Sequence, residues 1–309
     1  MPLEPLVDDR PFFDRVSGAV KGFLISLFLF STLIVFNLTQ VASLVVAVFS
    51  SKAFRAYNRW AADFWWGLCV SCSRSVNGAK LILSGNPVPV EENAIVLCNH
   101  QQMPDITFLF LLAKTKHRLG DLKWIVKDII KWVPGVGWGL AFVGSIFVSR
   151  NWTNDRASIE RTFSSLIRNR VPFWVMMFVE GTRVTSEKIK GSREYALKKN
   201  MQPLDHLLFP RTKGFVASVQ GLRNGHLDAV YDITIGYEKG VPTLWQYIKG
   251  AVRVAHFHVR RYPVKDLPGS QEELSKWLIE RFTEKDRLLD HFYHTGSFAG
   301  STPTAPNRT

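Results

Sequence analysis

Cysteine is scarce in this chain, with Cys69, Cys72 and Cys98 as its three. An odd and sparse set cannot build a disulfide framework, which excludes the small stapled folds and favours a reducing compartment. Cys69 and Cys72 spell C-x-x-C, but inside the apolar stretch WWGLCVSCSR, without a second ligand pair, they read as small buried hydrophobes. The chain also lacks a G-x-S-x-G elbow, an H-E-x-x-H pair and a P-loop. A serine nucleophile of the common hydrolase type therefore has no support, and neither has a zincin centre. His256 and His258 would share one face of a strand, and two histidines without a third ligand are structural more often than metal-binding.

Acidic residues are in deficit. Asp plus Glu number 26 against 39 Lys plus Arg, a net charge of +13 over 309 residues. That balance calls for an anionic partner without choosing among nucleic acid, phospholipid and phosphorylated metabolites. Nucleic acid fits poorly, because the basic residues fall at strand ends and no aromatic-basic module is evident.

The choice is made by an uncharged run from Gly22 to Ser51, within KGFLISLFLFSTLIVFNLTQVASLVVAVFSSK, which exceeds the minimum for a bilayer span. Asn37, Thr39 and Gln40 interrupt it, so a tilted span and a helical hairpin that dips in and returns both suit it. Asp8, Asp9 and Asp14 balance the bases before the run, whereas Lys52, Arg55 and Arg59 follow it alone. That asymmetry predicts a cytosolic downstream chain. The run is too long for a signal peptide, and the Asn37 and Asn151 glycosylation patterns read as chance matches. Trp60 to Val70 is short and aromatic, equally suited to an interfacial helix and to a core helix.

From Leu81 the pattern changes. LILSG, AIVLCN, KWIVK, SIFVS, FWVMMFVEG, AVYDITIGY and VRVAHFHVRRY read as strands, several apolar without alternation and so covered on both faces. Between them, DITFLFLLAKTKHRL, DRASIERTFSSLIRNR and EKIKGSREYALKKN have helical spacing. These alternations predict a mixed α/β fold with a largely parallel sheet flanked by helices, preceded by an N-terminal membrane-embedded helical segment. The tail QEELSKWLIERFTEKDRLLDHFY predicts an amphipathic helix with Leu274, Trp277, Leu278, Phe282 and Leu288 near one face. The expected divisions are 1–75 for membrane anchoring, 76–293 for a catalytic domain, and 294–309, small and polar, for a disordered tail.

His100 closes an apolar strand, and Asp105 follows Pro104 five positions on. The carboxyl ends of strands are where open α/β sheets bind ligands. Pro104 suits a helix's first turn, which puts Asp105 within reach of the imidazole, where a carboxylate can fix its tautomer and stabilise the imidazolium. A capping aspartate beside a hydrogen-bonded turn histidine remains the alternative for this spacing alone. With no nucleophile of the chain's own, a base at His100 points to a proton on the substrate. Glu180, Gly181, Thr182 and Arg183 gather at another strand's exit, where arginine binds phosphate bidentately and glycine lets the backbone approach it. Lys127, Lys131 and Arg150 add cations near strand ends, as do Arg211 and Lys213 behind Pro210.

Asn99-His100 with Asp105, KWIVK through SIFVSR, FVEGTR and FPRTKGF, in this order, resemble the four motifs of the glycerolipid acyltransferases, closest to the 1-acyl-sn-glycerol-3-phosphate (lysophosphatidic acid) acyltransferase branch. The resemblance implies transfer of a fatty acyl group from acyl-CoA, a co-substrate, to the sn-2 hydroxyl of a lysophospholipid, without metal or acyl-enzyme. It implies His100 as general base and Asp105 as its orienter. Glu180, Gly181, Thr182 and Arg183 would hold the acceptor phosphate, Lys127 and Arg150 would assist there or at the CoA end, and Pro210 and Lys213 would shape the acyl-CoA side. It also implies an endoplasmic reticulum membrane with the site facing the cytosol. The QQMP between His100 and Asp105 departs from more polar members and bears on acceptor identity. Other lysophospholipid acceptors such as lysophosphatidylinositol or lysocardiolipin, a CoA-independent transacylase, and a non-catalytic protein that binds anionic lipid are the competing expectations.

Overall fold

The computed structural model describes residues 5–149 and 151–298. Seven strands form one sheet: β1 (Lys80–Gly85), β2 (Ala94–Cys98), β3 (Leu122–Lys127), β4 (Ile146–Val148), β5 (Trp174–Met177), β6 (Ala229–Gly236) and β7 (Val254–Pro263). Their spatial order is β1-β7-β6-β2-β5-β3-β4, and every neighbouring pair is parallel except β6 with β7. The sheet is mixed and largely parallel. The helices are α1 (Phe12–Ala42), α2 (Leu44–Phe49), α3 (Ser51–Ser71), α4 (Pro104–Thr115), α5 (Val136–Phe142), α6 (Trp152–Arg168), α7 (Ser186–Lys198), α8 (Thr212–Arg223), α9 (Leu244–Ile248) and α10 (Gln271–Thr295).

The unalternating apolar strands are the central ones. β2 and β6 are buried at every position, since helices cover both faces of the sheet. Successive β2 residues serve opposite layers. Ala94, Val96 and Cys98 join Trp66, Phe108 and Phe110 on the α3 and α4 side. Ile95 and Leu97 join Phe163, Phe215 and Phe282 on the side of α6, α8 and α10. α10 opens with a capping box in which Ser270 accepts from the Glu273 N–H, and it ends at Gly296 with φ 75°. Its inward face carries the apolar residues expected of it and also Lys285, fully buried, whose Nζ meets Asp232 of β6 at 2.7 Å. The helix continues to Thr295, and Phe298 stacks on Phe292 with ring centroids 4.6 Å apart, so the ordered chain runs past Tyr293. The rest of the expected tail, 299–309, lies outside the described residues.

At the N-terminus the apolar run is helical from Phe12 to Phe49, long and apolar enough to cross a membrane. The hairpin that forms does not turn at Asn37 to Gln40. It turns at Ser50, whose Oγ accepts from Ala53 N at 3.1 Å, and α3 makes the return. Trp65 Nε1 donates to Leu29 O at 3.2 Å, and Asn58 Nδ2 donates to Ser43 Oγ at 3.1 Å, which fixes α1 and α3 as antiparallel. The Trp60 to Val70 stretch is a core helix on one side, with Trp66 stacked on Phe110 at 5.3 Å. On its other side Phe64 lies against Phe36 of α1 at 5.3 Å.

Candidate functional site

β2, β3, β5 and β6 run parallel, so His100, Lys127, Glu180 and Tyr237 all leave the sheet at its carboxyl edge. Asn99 anchors the chain leaving β2 by donating from Nδ2 to Ile235 O at 3.0 Å while its Oδ1 accepts from Ile235 N at 2.7 Å. Asp105 stands in the first turn of α4, behind Pro104. It is wholly buried and its carboxylate is saturated with donors. Oδ2 accepts from His100 Nδ1 at 3.0 Å, Gln101 N at 2.7 Å and Gln102 N at 2.9 Å, and Oδ1 accepts from Tyr237 Oη at 2.7 Å. Burial beside that carboxylate pushes the Tyr237 phenol well above its ordinary range, which keeps it a donor.

A carboxylate at Nδ1 assigns the hydrogen to that nitrogen and leaves the Nε2 lone pair available. Nε2 has no hydrogen-bond partner among the described residues, and the His100 side chain is 12% exposed, so the ring is held on one edge and open on another. Phe178 stacks on it at 4.0 Å with an interplanar angle of 16°, and Trp124 backs Phe178 at 6.0 Å. A seated, tautomer-fixed imidazole with a free acceptor can take a proton from an arriving hydroxyl.

The Glu180 to Arg183 turn divides into two roles. Glu180 is buried and turns inward, accepting from His100 N at 2.7 Å and from Leu208 N at 2.9 Å. It stitches three segments of the site together, and this placement corrects the expectation that it would hold substrate. Burial pushes its carboxyl up to about 8, against the two N–H donors and the Lys285 charge that pull it down. Gly181 adopts φ 72°, and a Cβ there would lie 2.9 Å from Arg211 Nε. Thr182 Oγ1 accepts from Lys188 Nζ at 2.9 Å. Arg183 is exposed and donates from Nη1 to Gln102 Oε1 at 2.5 Å, which sets its guanidinium beside the His100 turn. Arg211 N donates to Val179 O at 2.8 Å, bringing the fourth segment alongside.

The structure thus brings His100, Asp105, Gly181, Thr182, Arg183 and Arg211 together. Pro210 is buried behind them, and Lys213 is exposed on the first turn of α8. Lys127 is exposed at the end of β3, Lys131 pairs with Asp128 at 2.7 Å, and Arg150 lies outside the described residues. Three contributors carried no local signal: Tyr237, Phe178, and Gln101, whose Nε2 donates to Ile235 O at 2.9 Å and to Tyr293 Oη at 2.8 Å. Among the described residues no group of three or more His, Cys, Asp or Glu is placed to hold a metal ion, and His256 pairs with Glu238 at 2.5 Å.

Glu180 leaves a pH signature in stability. Its carboxyl, at about 8 in the fold against 4.5 ordinarily, holds a proton that the unfolded chain releases, so its contribution to stability falls as pH rises between those values. At about 1.4 kcal/mol per unit of pKa shift, the effect is of order a few kcal/mol. Thermal unfolding in detergent from about pH 5 to pH 8 should show a steeper decline for the parent than for Glu180→Gln. Parallel declines would mean that Glu180 is ionised in the fold throughout.

A family model described as Acyltransferase matches residues 80–238, and one described as Acyltransferase C-terminus matches 246–309. The chain is 32% identical over 280 residues to 1-acyl-sn-glycerol-3-phosphate acyltransferase 2 of Brassica oleracea, covering 89% of this chain and 71% of that one. It is 34% identical over 244 residues to lysocardiolipin acyltransferase 1 of Danio rerio, covering 77% and 63% respectively. The crystal structure of the 1-acyl-sn-glycerophosphate (LPA) acyltransferase PlsC from Thermotoga maritima aligns with a TM-score of 0.48 at 15% identity, over 87% of this chain and 98% of that one.

Proposed function

The chain belongs to the acyltransferase family, and from that premise we propose that it moves a fatty acyl group from acyl-CoA to the sn-2 hydroxyl of lysophosphatidic acid, giving phosphatidic acid. The observation that carries this is the open Nε2 of His100 behind a buried, donor-saturated Asp105. Nε2 takes the hydroxyl proton as the substrate oxygen attacks the thioester carbonyl. The tetrahedral intermediate collapses, the C–S bond breaks, and the imidazolium returns its proton to the departing CoA thiolate. Asp105 holds the ring and offsets the imidazolium charge. Arg183, with the Gly181 and Thr182 backbone and Arg211 beside it, receives the acceptor phosphate. Lys127 and Arg150 serve the phosphate or CoA end, and Pro210 and Lys213 the acyl-CoA side. Relatives named for 1-acyl-sn-glycerol-3-phosphate support the acceptor. The bases that follow the apolar run, Lys52, Arg55 and Arg59, support a cytosolic site, at the endoplasmic reticulum by the branch it resembles.

The test is transfer of labelled oleoyl-CoA by membranes carrying the chain, with lysophosphatidic acid, lysophosphatidylinositol, monolysocardiolipin and glycerol 3-phosphate offered in parallel. Preferential labelling of phosphatidic acid is expected. Preference for monolysocardiolipin would move the acceptor to that of the Danio rerio relative, and acylation that persists without CoA thioester would replace the donor with a phospholipid.

A further inference from the structure

Packing accounts for the apolar face of α10 and leaves a second, polar stripe without a role. Asp286, Asp290 and Tyr293 each stand one position beyond an inward residue, Lys285, Leu289 and Phe292 respectively. Their i, i+4, i+7 spacing sets all three along one edge of the helix. Each polar group is engaged outside its own helix. Asp286 accepts from Asp205 N at 2.9 Å and from His206 N at 2.7 Å. Asp290 Oδ1 lies 3.1 Å from His206 Nε2, and the Tyr293 ring lies against the same imidazole with centroids 5.3 Å apart. The 204–208 stretch that they hold has no helix or strand of its own, yet Leu204, His206, Leu207 and Leu208 are buried. Buried irregular backbone must find acceptors for its N–H groups. Asp286 supplies them at one end of this stretch, and Glu180 supplies one at the other, taking Leu208 N at 2.9 Å.

This edge of α10 reaches His100 by two routes. One runs from Asp286 through the 205–208 backbone to Glu180, whose other oxygen accepts from His100 N at 2.7 Å. The other is a single contact, from Gln101 Nε2 to Tyr293 Oη at 2.8 Å. Gln101 is buried, and its own N–H is one of the donors that saturate Asp105. The turn that carries the base is therefore tied to the end of a helix nearly two hundred residues further along the chain.

We propose that the polar edge of α10 is a positioning element of the active site, in which Tyr293 directly, and Asp286 through the 205–208 segment, hold the His100 turn so that Nε2 is aimed. Among the described residues the imidazole is hydrogen-bonded at Nδ1 alone, so play in residues 100–102 becomes displacement of the reacting nitrogen. A misplacement of about 1 Å in a catalytic group can cost about 10²-fold in rate. Tyr293 and Asp286 act through the turn and carry no step of the chemistry. The consequence for rate rests on the acyl-transfer reading, whereas the order of the turn can be measured without it.

Amide hydrogen exchange read by mass spectrometry on the whole chain in detergent, with initial rates from the same preparations, tests it. Tyr293→Phe deletes the acceptor of Gln101 Nε2 and keeps the ring against His206. Asp286→Asn weakens the hold on the 205–206 N–H groups. Both variants should exchange amides 100–102 faster than the parent while the amides of β5 keep the parent's rate. Tyr293→Phe should lower kcat by about 3–10-fold, the scale of one neutral hydrogen bond, and leave KM unchanged for oleoyl-CoA and lysophosphatidic acid. Gln101→Met cuts the same contact from its other side, so adding Tyr293→Phe to it should slow the enzyme no further. Parent-like exchange at 100–102 in either variant, a parent-like kcat for Tyr293→Phe, or additive losses in the double variant would overturn the proposal. So would faster exchange throughout the chain with a lowered thermal midpoint and full turnover per folded molecule, the mark of a merely structural contact. A parent that transfers no acyl group would remove the enzymatic reading, and exchange at 100–102 would still decide whether α10 holds the turn.

Discussion

His100→Ala should fold, reach the membrane, and transfer acyl groups about 10²–10⁴-fold more slowly than the parent, the range typical for loss of a positioned general base. The fold survives because the imidazole contributes few contacts of its own: Asp105 keeps Gln101 N, Gln102 N and Tyr237 as donors, so no buried carboxylate is stranded. The backbone bonds at position 100, N to Glu180 and O from Val184, do not depend on the side chain. The loss should fall on kcat rather than on the KM for lysophosphatidic acid, since phosphate recognition is assigned to Arg183 and its neighbours. Parallel initial rates with oleoyl-CoA decide it. An alanine variant as fast as the parent would remove the base from the mechanism and leave a protein that binds anionic lipid without chemistry.

What could be read ahead of the structure follows sequence distance. His100 and Asp105 are five apart across a turn opened by Pro104, so residue types and a strand-to-helix exit suffice to pair them. Tyr237 lies 132 residues from the carboxylate it donates to, and Glu180 lies 80 from the backbone it holds. Both depend on β2 being inserted between β5 and β6, an order that no local pattern encodes. The seven strands were legible because a doubly covered sheet demands apolar runs, and β2 and β6 supply them without alternation. Helix α8 was not, because Gly214 and Gly221 and the basic start at Arg211 obscure its inward Phe215, Val219 and Leu222. Lys285 illustrates the limit of face-counting on α10: its position is inward, and Asp232 and the Ile233 carbonyl of β6, at 2.7 and 2.6 Å, make a lysine tolerable there. The polar trio in the apolar run left a tilted span and a hairpin both open; Asn37 and Gln40 are buried, facing Gly139 of α5, and the helix passes through them.

Asp105→Asn separates the two roles that the spacing alone left open, a helix cap or the orienter of a base. An asparagine oxygen can still accept from Gln101 N and Gln102 N, and its amide can meet the Tyr237 hydroxyl, so the start of α4 keeps its partners. What disappears is the negative charge facing the imidazolium as it forms, in a site dry enough that Asp105 has no exposed surface. The expected outcome is a thermal midpoint close to the parent's and a kcat lower by about 10²–10⁴-fold, comparable to removing the base itself, because residues that act as one unit lose their effect together. Tyr237→Phe should be the milder version, since one donor to a charged group is worth about 1.5–3 kcal/mol and the charge itself remains. A capping role predicts the opposite pattern, full turnover with the midpoint unchanged, since asparagine caps as well as aspartate. Measuring midpoint and kcat on the same preparations distinguishes them, because only an orienter loses rate while the fold stands.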